Sequence, residues 1–537
     1  MKANTALALF LSSISFGSLC AQDILWEKSY GGKHADYLFD AVATPDYGFI
    51  LAGNSLSRKT GNKTEAPQGD LDYWVWKMDE HGELDWQKGF GGTGADLLQA
   101  VRLTNDAGFL LAGTSDSGAG AQKKNPCRGK EDFWIIKLDA RGNEQWQRTI
   151  GGAGQEQLSA AVPTSDGGFL LAGSSSSAKS PETKGARDPF GKWDGGYGNL
   201  DLWIVKLDSE GNIQWQRTIG GKYADQARSA IQTSDGGFLV GAYSNSPESG
   251  NKTEKCYGIG DYFAVKLSPD GSTEWQKAYG GEGDDQLQAV LQASDGNYVL
   301  AGSSNSGTGG NKSASARNGT DFWILKVDPR GEILWQETHD FGKTDLLTSL
   351  VENEDRTLLL GGYAQSEALG TKKKDREGIN DYIALKADAQ GKEIWSRTAG
   401  SSGEDILRKA VETRDGGYLL AGTSKGAASR DRNTGKGGSD FWVVKLLDRD
   451  KKKEKKKYIE AMPNPTSQFT NVIVGYDFLG GTGYVYDLAG RQLQVFAVTG
   501  RTVPVDLGAY PEGIYVIQIK TEVQSDGVKV VKTSKQN

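Results

Sequence analysis

Seven tryptophans recur at nearly constant intervals and open the same short phrase. They are Trp26, Trp86, Trp146, Trp215, Trp275, Trp335 and Trp395, in strings such as WEKSYGG, WQKGFGG and WQRTIGG. The spacings are 60, 60, 69, 60, 60 and 60 residues. A fixed period of this size means one supersecondary unit copied along the chain, each copy needing its neighbours to bury its apolar faces.

The third copy shows what the unit contains. LSAAVPT is a short alternating run that ends at the turn Ser165-Asp166-Gly167-Gly168. FLLAGSS follows, then a long polar stretch, then LWIVKLD, the turn Ser209-Glu210-Gly211-Asn212, and IQWQRTIGG. Each run is of strand length, rich in β-branched and aromatic residues, and bounded by Gly, Asn or Asp. Asp-Gly and Gly-Asn supply the positive-φ residues of tight hairpins. Gly makes up 73 of 537 residues, about twice the usual share, as many tight turns require. No stretch sustains a 3.6-residue period, so helices should be scarce.

Four antiparallel strands copied seven times is the pattern of β-propeller blades. A closed ring of such sheets leaves only short edges, whereas an open array exposes long ones. The repeat begins with a lone outer strand, Ile24 to Tyr30, and stops after FWVVKLL, Phe441 to Leu447. The last blade therefore lacks its outer strand unless the N-terminal one supplies it. The expected fold is all-β: a seven-bladed propeller over residues 22–448, closed by that N-terminal strand, with a small C-terminal β-sandwich over residues 460–537.

The hairpin KLDxxGNxxW, as in Lys137 to Trp146, resembles the tryptophan-docking hairpin of quinoprotein-type propellers. The TSDGGF turn is similar to the Asp-box of sialidase-like propellers but lacks the full serine-to-aromatic pattern. The first resemblance implies a propeller and says little about a quinone cofactor. The second gives no case for sialidase activity.

Residues 1–21 read as a secretory signal peptide: Lys2, an apolar run from Ala6 to Leu19, and cleavage after Ala21. Cys20 raises a lipoprotein reading, against which Leu19 is a poor residue before a lipidated cysteine. No later segment approaches the ~18 apolar residues of a membrane span. Cys127 and Cys256 lie in loops of the second and fourth units, too far apart to bridge, so two free thiols are expected. A net charge of −7, with 62 basic and 69 acidic residues, gives no electrostatic case for nucleic acid. The one charge run, Lys451 to Lys457, falls in a linker at residues 449–459 and reads as solvated.

Beyond that linker the period stops. The tail contains Met462-Pro463-Asn464-Pro465-Thr466, then VYDLAGRQL, then VDLGAYPEGIYVIQI, and the basic end VKVVK. These motifs resemble the C-terminal sorting domain of type IX secretion cargo in Bacteroidetes. The resemblance covers about 75 residues. It carries the sorting motif onto Pro463, Asn464, Pro465, Asp487, Gly490, Gly513, Tyr515 and Lys532. It implies a small β-sandwich, a partnership with the type IX machinery, and passage through the periplasm to the outer surface or the medium. Five residues follow Lys532, where the family usually stops near the basic end.

Strand alternation puts short turns on one side of the sheets, and long loops with the inter-unit connections on the other. Function on a repeat scaffold usually lies where loops are long and irregular. On that side an acid follows each Gly-Gly-type turn: Asp36, Asp96, Glu156, Asp225, Asp285, Asp345 and Asp405. Seven acids around one mouth could attract a cation such as Ca²⁺ or a basic ligand. A position repeated in every unit is more often structural, each acid capping the amides of its own turn. A lysine also recurs in the third strand: Lys77, Lys137, Lys206, Lys266, Lys326, Lys386 and Lys445. A catalytic lysine would not appear seven times, so blade-to-blade ion pairing with the turn acids is expected.

Candidate catalytic groups are few. His34, His81 and His339 sit in different units without metal-ligand spacing, and no GxSxG elbow occurs. The 69-residue spacing adds nine residues to the third long loop, which holds Phe190, Trp193, Asp194 and Tyr197. Flat aromatic faces beside a carboxylate suit stacking on a sugar or peptide; the competing reading is a lid folded over neighbouring units. The sequence thus favours a monomeric, non-enzymatic surface or secreted binding protein for a glycan, matrix or protein ligand. The alternatives are a polysaccharide hydrolase or lyase and a purely architectural surface protein. No metal or other cofactor is expected beyond such a Ca²⁺.

Overall fold

The computed structural model describes residues 23–106, 108–182, 187–317, 319–365, 379–448 and 458–533. The expected signal peptide, with Cys20, lies outside them, as does the Lys-rich run. Among the described residues every regular element is a strand.

Each repeat folds as four antiparallel strands paired in chain order. In the third they are Glu156–Pro163, Phe169–Ser175, Asp201–Leu207 and Ile213–Ile219. The second and third strands are buried along their whole length, which is why FLLAGSS and DLWIVKL read as continuous apolar runs. The fourth strand keeps Gln214 exposed and buries only Gln216, Thr218 and Ile219. A bulge between Leu158 and Ala160 breaks the pairing of the first two strands, and the other six sheets carry it at the equivalent place. Such bulges increase local twist.

Seven sheets of this kind occupy the repeat region. The seventh takes its fourth strand from the other end of the chain: Asp23–Tyr30 pairs with Asp440–Leu447, with Ile24 opposite Leu446 and Tyr30 opposite Phe441. Neighbouring sheets meet through aromatic pairs on their third strands. Tyr73 lies 4.8 Å from Trp134, Phe133 4.9 Å from Trp203, Tyr262 4.6 Å from Trp323 and Tyr382 4.7 Å from Trp442, measured between ring centroids. The same contact joins the seventh sheet to the first, where Phe441 lies 4.7 Å from Trp74. Leu38, Phe49 and Trp74 share one core with Leu419, Ala421 and Phe441.

The recurrent tryptophans pack on the next sheet's hairpin. A Cβ built on Gly211 would fall 2.9 Å from the Trp146 ring, and one on Gly142 3.0 Å from Trp86. Gly211 also has φ +78°, so both its conformation and the close approach require glycine there.

The third-strand lysines pair within their own sheet, which corrects the expectation of pairing between blades. Lys206 Nζ lies 2.8 Å from Asp166, Lys266 2.9 Å from Asp235 and Lys326 2.6 Å from Asp295. The first hairpin of each sheet curls back over the end of its third strand, so the nearest carboxylate is that hairpin's own. Lys386 adds a second partner at the next sheet, Asp448, at 3.2 Å.

The C-terminal residues form two further sheets. One holds Ile459–Met462, Phe469–Val474 and Thr502–Asp506; the other holds Gly481–Asp487, Gln492–Val498, Gly513–Thr521 and Ser525–Lys532. Val472 and Val505 of the first share a core with Val485, Ile517 and Val530 of the second. This region rests on the short-turn side of the repeats. Arg501 pairs with Glu80 at 2.9 Å, Thr502 donates to Asp46 at 2.6 Å, and Arg414 pairs with Glu460 at 2.7 Å. A cavity of about 660 Å³ remains between the two, bordered by Pro45, Trp86, Arg141, Met462 and Arg501.

Candidate functional site

On the long-loop side the seven recurrent acids are all fully buried. Each accepts hydrogen bonds from the turn that precedes it. The Gly32 amide reaches Asp36 at 2.7 Å, Gly92 reaches Asp96 at 2.7 Å, Gly152 reaches Glu156 at 2.6 Å, and Gly221 reaches Asp225 at 2.7 Å. Gly281 reaches Asp285 at 2.8 Å, Phe341 reaches Asp345 at 2.5 Å, and Ser401 reaches Asp405 at 2.5 Å. Serines at the end of the second strand or two residues beyond it complete most of these shells, as Ser175 does for Glu156 at 2.8 Å and Ser57 for Asp36 at 2.9 Å. A carboxylate so enclosed fixes a turn and is not presented to solvent.

Two further rows join this network, and sequence reasoning passed over both. The first is the aspartate that opens each third strand: Asp72, Asp132, Asp201, Asp261, Asp321, Asp381 and Asp440. Asp201 accepts from the Tyr197 amide at 2.7 Å and Asp440 from the Lys436 amide at 2.7 Å, so each ties down the end of its long loop. Burial, reinforced by the neighbouring Asp96, raises Asp72 to about 6; Asp132 and Asp261 are likewise raised to about 6.

The second row is a buried loop cation: Lys63, Lys123, Lys192, Lys252 and Lys312, with Arg432 in the seventh sheet. Lys63 donates to Ser55 at 2.6 Å, Lys192 to Thr218 at 2.8 Å, and Arg432 pairs with Asp440 at 2.5 Å. Burial brings Lys192 down to about 8. The signal for four of these cations is the Asn-Lys or Gln-Lys step that recurs in the loops at the repeat spacing, while Lys192 follows Gly191 and Arg432 follows Asp431.

In the enlarged third loop the four candidate residues do not converge. Phe190 is half-buried against the core of the second and third sheets, with the Arg148 guanidinium 5.5 Å from its ring. Trp193 is half-buried, its indole N–H donating to the Asp188 carbonyl at 3.0 Å and its ring lying 5.4 Å from Arg187. Asp194 is exposed, and Tyr197 is 49% exposed beside Gly250 of the next loop. Residues 183–186 of this loop lie outside the described residues.

Cys127 and Cys256 are free thiols, half-buried, and burial pushes each up to about 11, so neither is a thiolate near neutrality. His339 is held by the Gly391 carbonyl at 2.9 Å, and burial lowers its pKa.

The structure brings the C-terminal motif residues together. Asn464 donates to the Lys529 carbonyl at 2.8 Å and accepts from the Val531 amide at 2.9 Å, joining the Pro463–Pro465 segment to the last strand. Asp487 accepts from the Ala489 and Arg491 amides at 3.0 and 2.9 Å, across a turn in which Gly490 has φ +80°. Tyr515 donates to the Pro511 carbonyl at 2.6 Å, near the start of the strand that Gly513 opens. Lys532 is buried and donates to the carbonyls of Leu507, at 2.7 Å, and Gly508, at 3.0 Å.

Residues 460–533 match the family of secretion system C-terminal sorting domains. The chain is therefore an all-β, propeller-like repeat protein that carries a type IX sorting domain and is exported to the cell surface or secreted. No helix among the described residues is long and apolar enough to cross a membrane.

Over 222 residues, 40% of its length, the chain is 24% identical to the regulatory protein FlaEY of Caulobacter vibrioides; it spans about a quarter (23%) of that relative's length. Among solved structures it is similar to the WD40 domain of Neurospora crassa Pan2, at 10% identity and a TM-score of 0.41, covering 79% of this chain and 92% of that one. It is also similar to Sqt1 of Chaetomium thermophilum, at 12% identity and a TM-score of 0.39, covering 80% and 100%. A third is the extracellular domain of a putative hybrid two-component system from B. thetaiotaomicron, at 11% identity and a TM-score of 0.22, covering 92% and 81%.

Proposed function

We propose that residues 22–448 form a closed seven-bladed propeller whose long-loop side binds an extracellular glycan, matrix component or protein, and that residues 460–537 form the β-sandwich that directs export. The observation that carries this reading is the placement of the sorting region. It covers short turns of the first and seventh sheets, through Glu80, Asp46 and Arg414, and leaves the long loops opposite uncovered. The aromatic contact that continues from Phe441 to Trp74 supports the closed count. Nothing in the ligand reading requires a second copy, and the protein acts as a monomer.

A polysaccharide hydrolase or lyase fits less well. Such chemistry needs solvent-facing acids beside an aromatic floor, whereas the seven recurrent acids are buried and Phe190, Trp193 and Tyr197 point into separate surroundings.

The test is a glycan-array and pull-down screen with the exported protein, repeated with Trp193→Ala and Tyr197→Ala. The binding reading expects a ligand whose affinity falls in at least one variant while melting stays nearly unchanged. If Trp193→Ala loses several degrees of stability and binds normally, the enlarged loop is a lid. A purely architectural protein would yield no ligand in either format.

A further inference from the structure

The closed ring proposed above sets the first strand of every sheet around a central channel, where the repeat loses its uniformity. The fourth residue of that strand is uncharged in five sheets but is Arg228 in the fourth and Arg408 in the seventh. The fifth residue is alanine or serine in five sheets, Asp40 in the first and Lys409 in the seventh. Arg228, Arg408 and Lys409 are each half-buried. Stacking like units asks for like residues at each junction, so charges confined to a few sheets answer another need.

Polar side chains at the fifth position reach the first strand of the next sheet. The Val101 amide donates to Asp40 at 3.0 Å, the Val290 amide to Ser229 at 3.3 Å, and the Ala410 amide to Ser349 at 3.1 Å. Lys409 stands at that place in the seventh sheet and has no acceptor to offer, and the Ala41 amide turns to Asp40 at 3.0 Å. Asp40 also pairs with Arg102 of the second sheet, so its charge is taken up before it serves Lys409. Lys409 forms no hydrogen bond or ion pair with any described residue. Burial lowers its pKa, while Asp40 and Arg102 act on it in opposite senses.

Arg408, the residue before it, also lacks a counter-charge. Its guanidinium lies 5.1 Å from the ring of Phe39 on the first sheet, and its Nε is buried with no hydrogen-bond partner. Burial lowers its pKa, and the groups acting on it are Tyr363 and Tyr382, whose own values are raised, so neither is an anion near neutrality. The other acids of the first strands are engaged elsewhere. The seven recurrent ones hold their turns, and Glu352 and Glu412 accept the Ser294 and Glu354 amides at 2.7 and 2.9 Å, at the short-turn end. Arg228, at the same height on the fourth sheet, has Asp284 nearby, and that carboxylate already accepts from Tyr243 at 3.0 Å and Gln286 at 2.6 Å. A cation drawn out of water without a partner is costly for a fold to keep.

From this geometry we infer that Arg408 and Lys409, with Arg102 and Phe39 beside them, form a channel site for a dianionic phosphate group, free or carried as a monoester on an extracellular ligand. Arg102, Arg408 and Lys409 set three positive charges against that of Asp40, an excess that a dianion balances and a single carboxylate does not. A guanidinium offers paired N–H donors to such an oxyanion, and an ammonium adds a point charge. The Phe39 ring holds the guanidinium from one side. The sorting region rests on the short-turn side, so the ligand enters from the long-loop end, where Tyr37 is 38% exposed. The site rests on the closed ring, since it joins sheets from both ends of the repeat region.

The experiment titrates the full exported chain calorimetrically with inorganic phosphate and with glucose 6-phosphate, at constant ionic strength and about pH 7.5, where both are largely dianions. Acetate and glucose serve as controls, and melting is followed with and without phosphate. One dianion should bind per chain, the tighter of the two ligands telling a free ion from an ester, and the melting temperature should rise with phosphate. Arg408→Gln and Lys409→Gln should each lower that affinity by about tenfold or more. Without phosphate each variant should melt no lower than the parent, because it removes a charge that nothing pairs. A parent that takes up neither phosphate ligand, or that binds acetate as tightly, would overturn the site, as would variants that bind like the parent. Small-angle scattering of the same samples reads the ring separately. An open arc would overturn the closed ring and the site with it, whereas a closed ring that takes up no phosphate overturns the site alone.

Discussion

Glu27 accepts a 2.8 Å hydrogen bond from the indole N–H of Trp442, 415 residues further along the chain. In other sheets the equivalent indole donates to a glutamine of its own fourth strand, as Trp203 does to Gln216 at 3.0 Å and Trp134 to Gln147 at 3.1 Å. The N-terminal strand therefore supplies both the backbone pairing and the side-chain acceptor that the last repeat lacks. Glu27→Ala should cost about 1–3 kcal/mol, because it strands a buried donor, and Glu27→Gln much less. Deleting residues 22–30 should sharply lower the melting temperature. A truncated chain that melts unchanged would show that the seventh sheet does not need its fourth strand.

Gly211 and Gly167 separate two reasons for glycine. Both have positive φ, +78° and +83°, but only Gly211 lies against a tryptophan; nothing stands within 4 Å of a Cβ on Gly167. Gly167→Ala should cost about 1 kcal/mol for the backbone alone. Gly211→Ala should cost roughly 2–4 kcal/mol, because Trp146 must also move. Equal losses in denaturant unfolding would mean that the tryptophan is loosely docked.

The acid junctions make stability depend on pH in an unusual direction. A carboxyl raised to about 7 when folded, as Asp345 is, holds a proton that the unfolded chain releases near pH 4. Its contribution is present below about pH 4 and is lost as pH rises through 7. Asp72, Asp132 and Asp261, raised to about 6, act in the same sense. Asp235 and Asp355, lowered to about 2, act oppositely: they stabilise above about pH 4, and that contribution is lost as pH falls toward 2. His339 also opposes the trend, since its lowered pKa costs stability as pH falls below its ordinary value. The parent protein should therefore gain more stability than Asp345→Asn between about pH 7.5 and about pH 5. A parent and variant with the same pH profile would contradict the raised pKa.

Much of the architecture is legible in the sequence because the repeat averages away local ambiguity. The strand runs around Ser165–Gly168 and Ser209–Asn212, and the unmatched strands at the two ends, are visible without a structure. The third-strand lysines were legible as paired, yet not with which partner. Strand order places Lys206 near several turn acids, and only the curl of the hairpin selects Asp166. The aspartates that open the third strands escaped notice because an acid at a strand start reads as a solvated end, whereas Asp201 and Asp321 are buried by the loops that fold over them. The enlarged loop drew attention through its length.

The account rests most heavily on export by the C-terminal domain, and its most direct test is to follow a chain that ends at residue 459 in the native host. The protein should fold and accumulate in the periplasm, while the full chain reaches the surface or the medium. Recovery of the truncated chain outside the cell at the yield of the full chain would contradict the assignment.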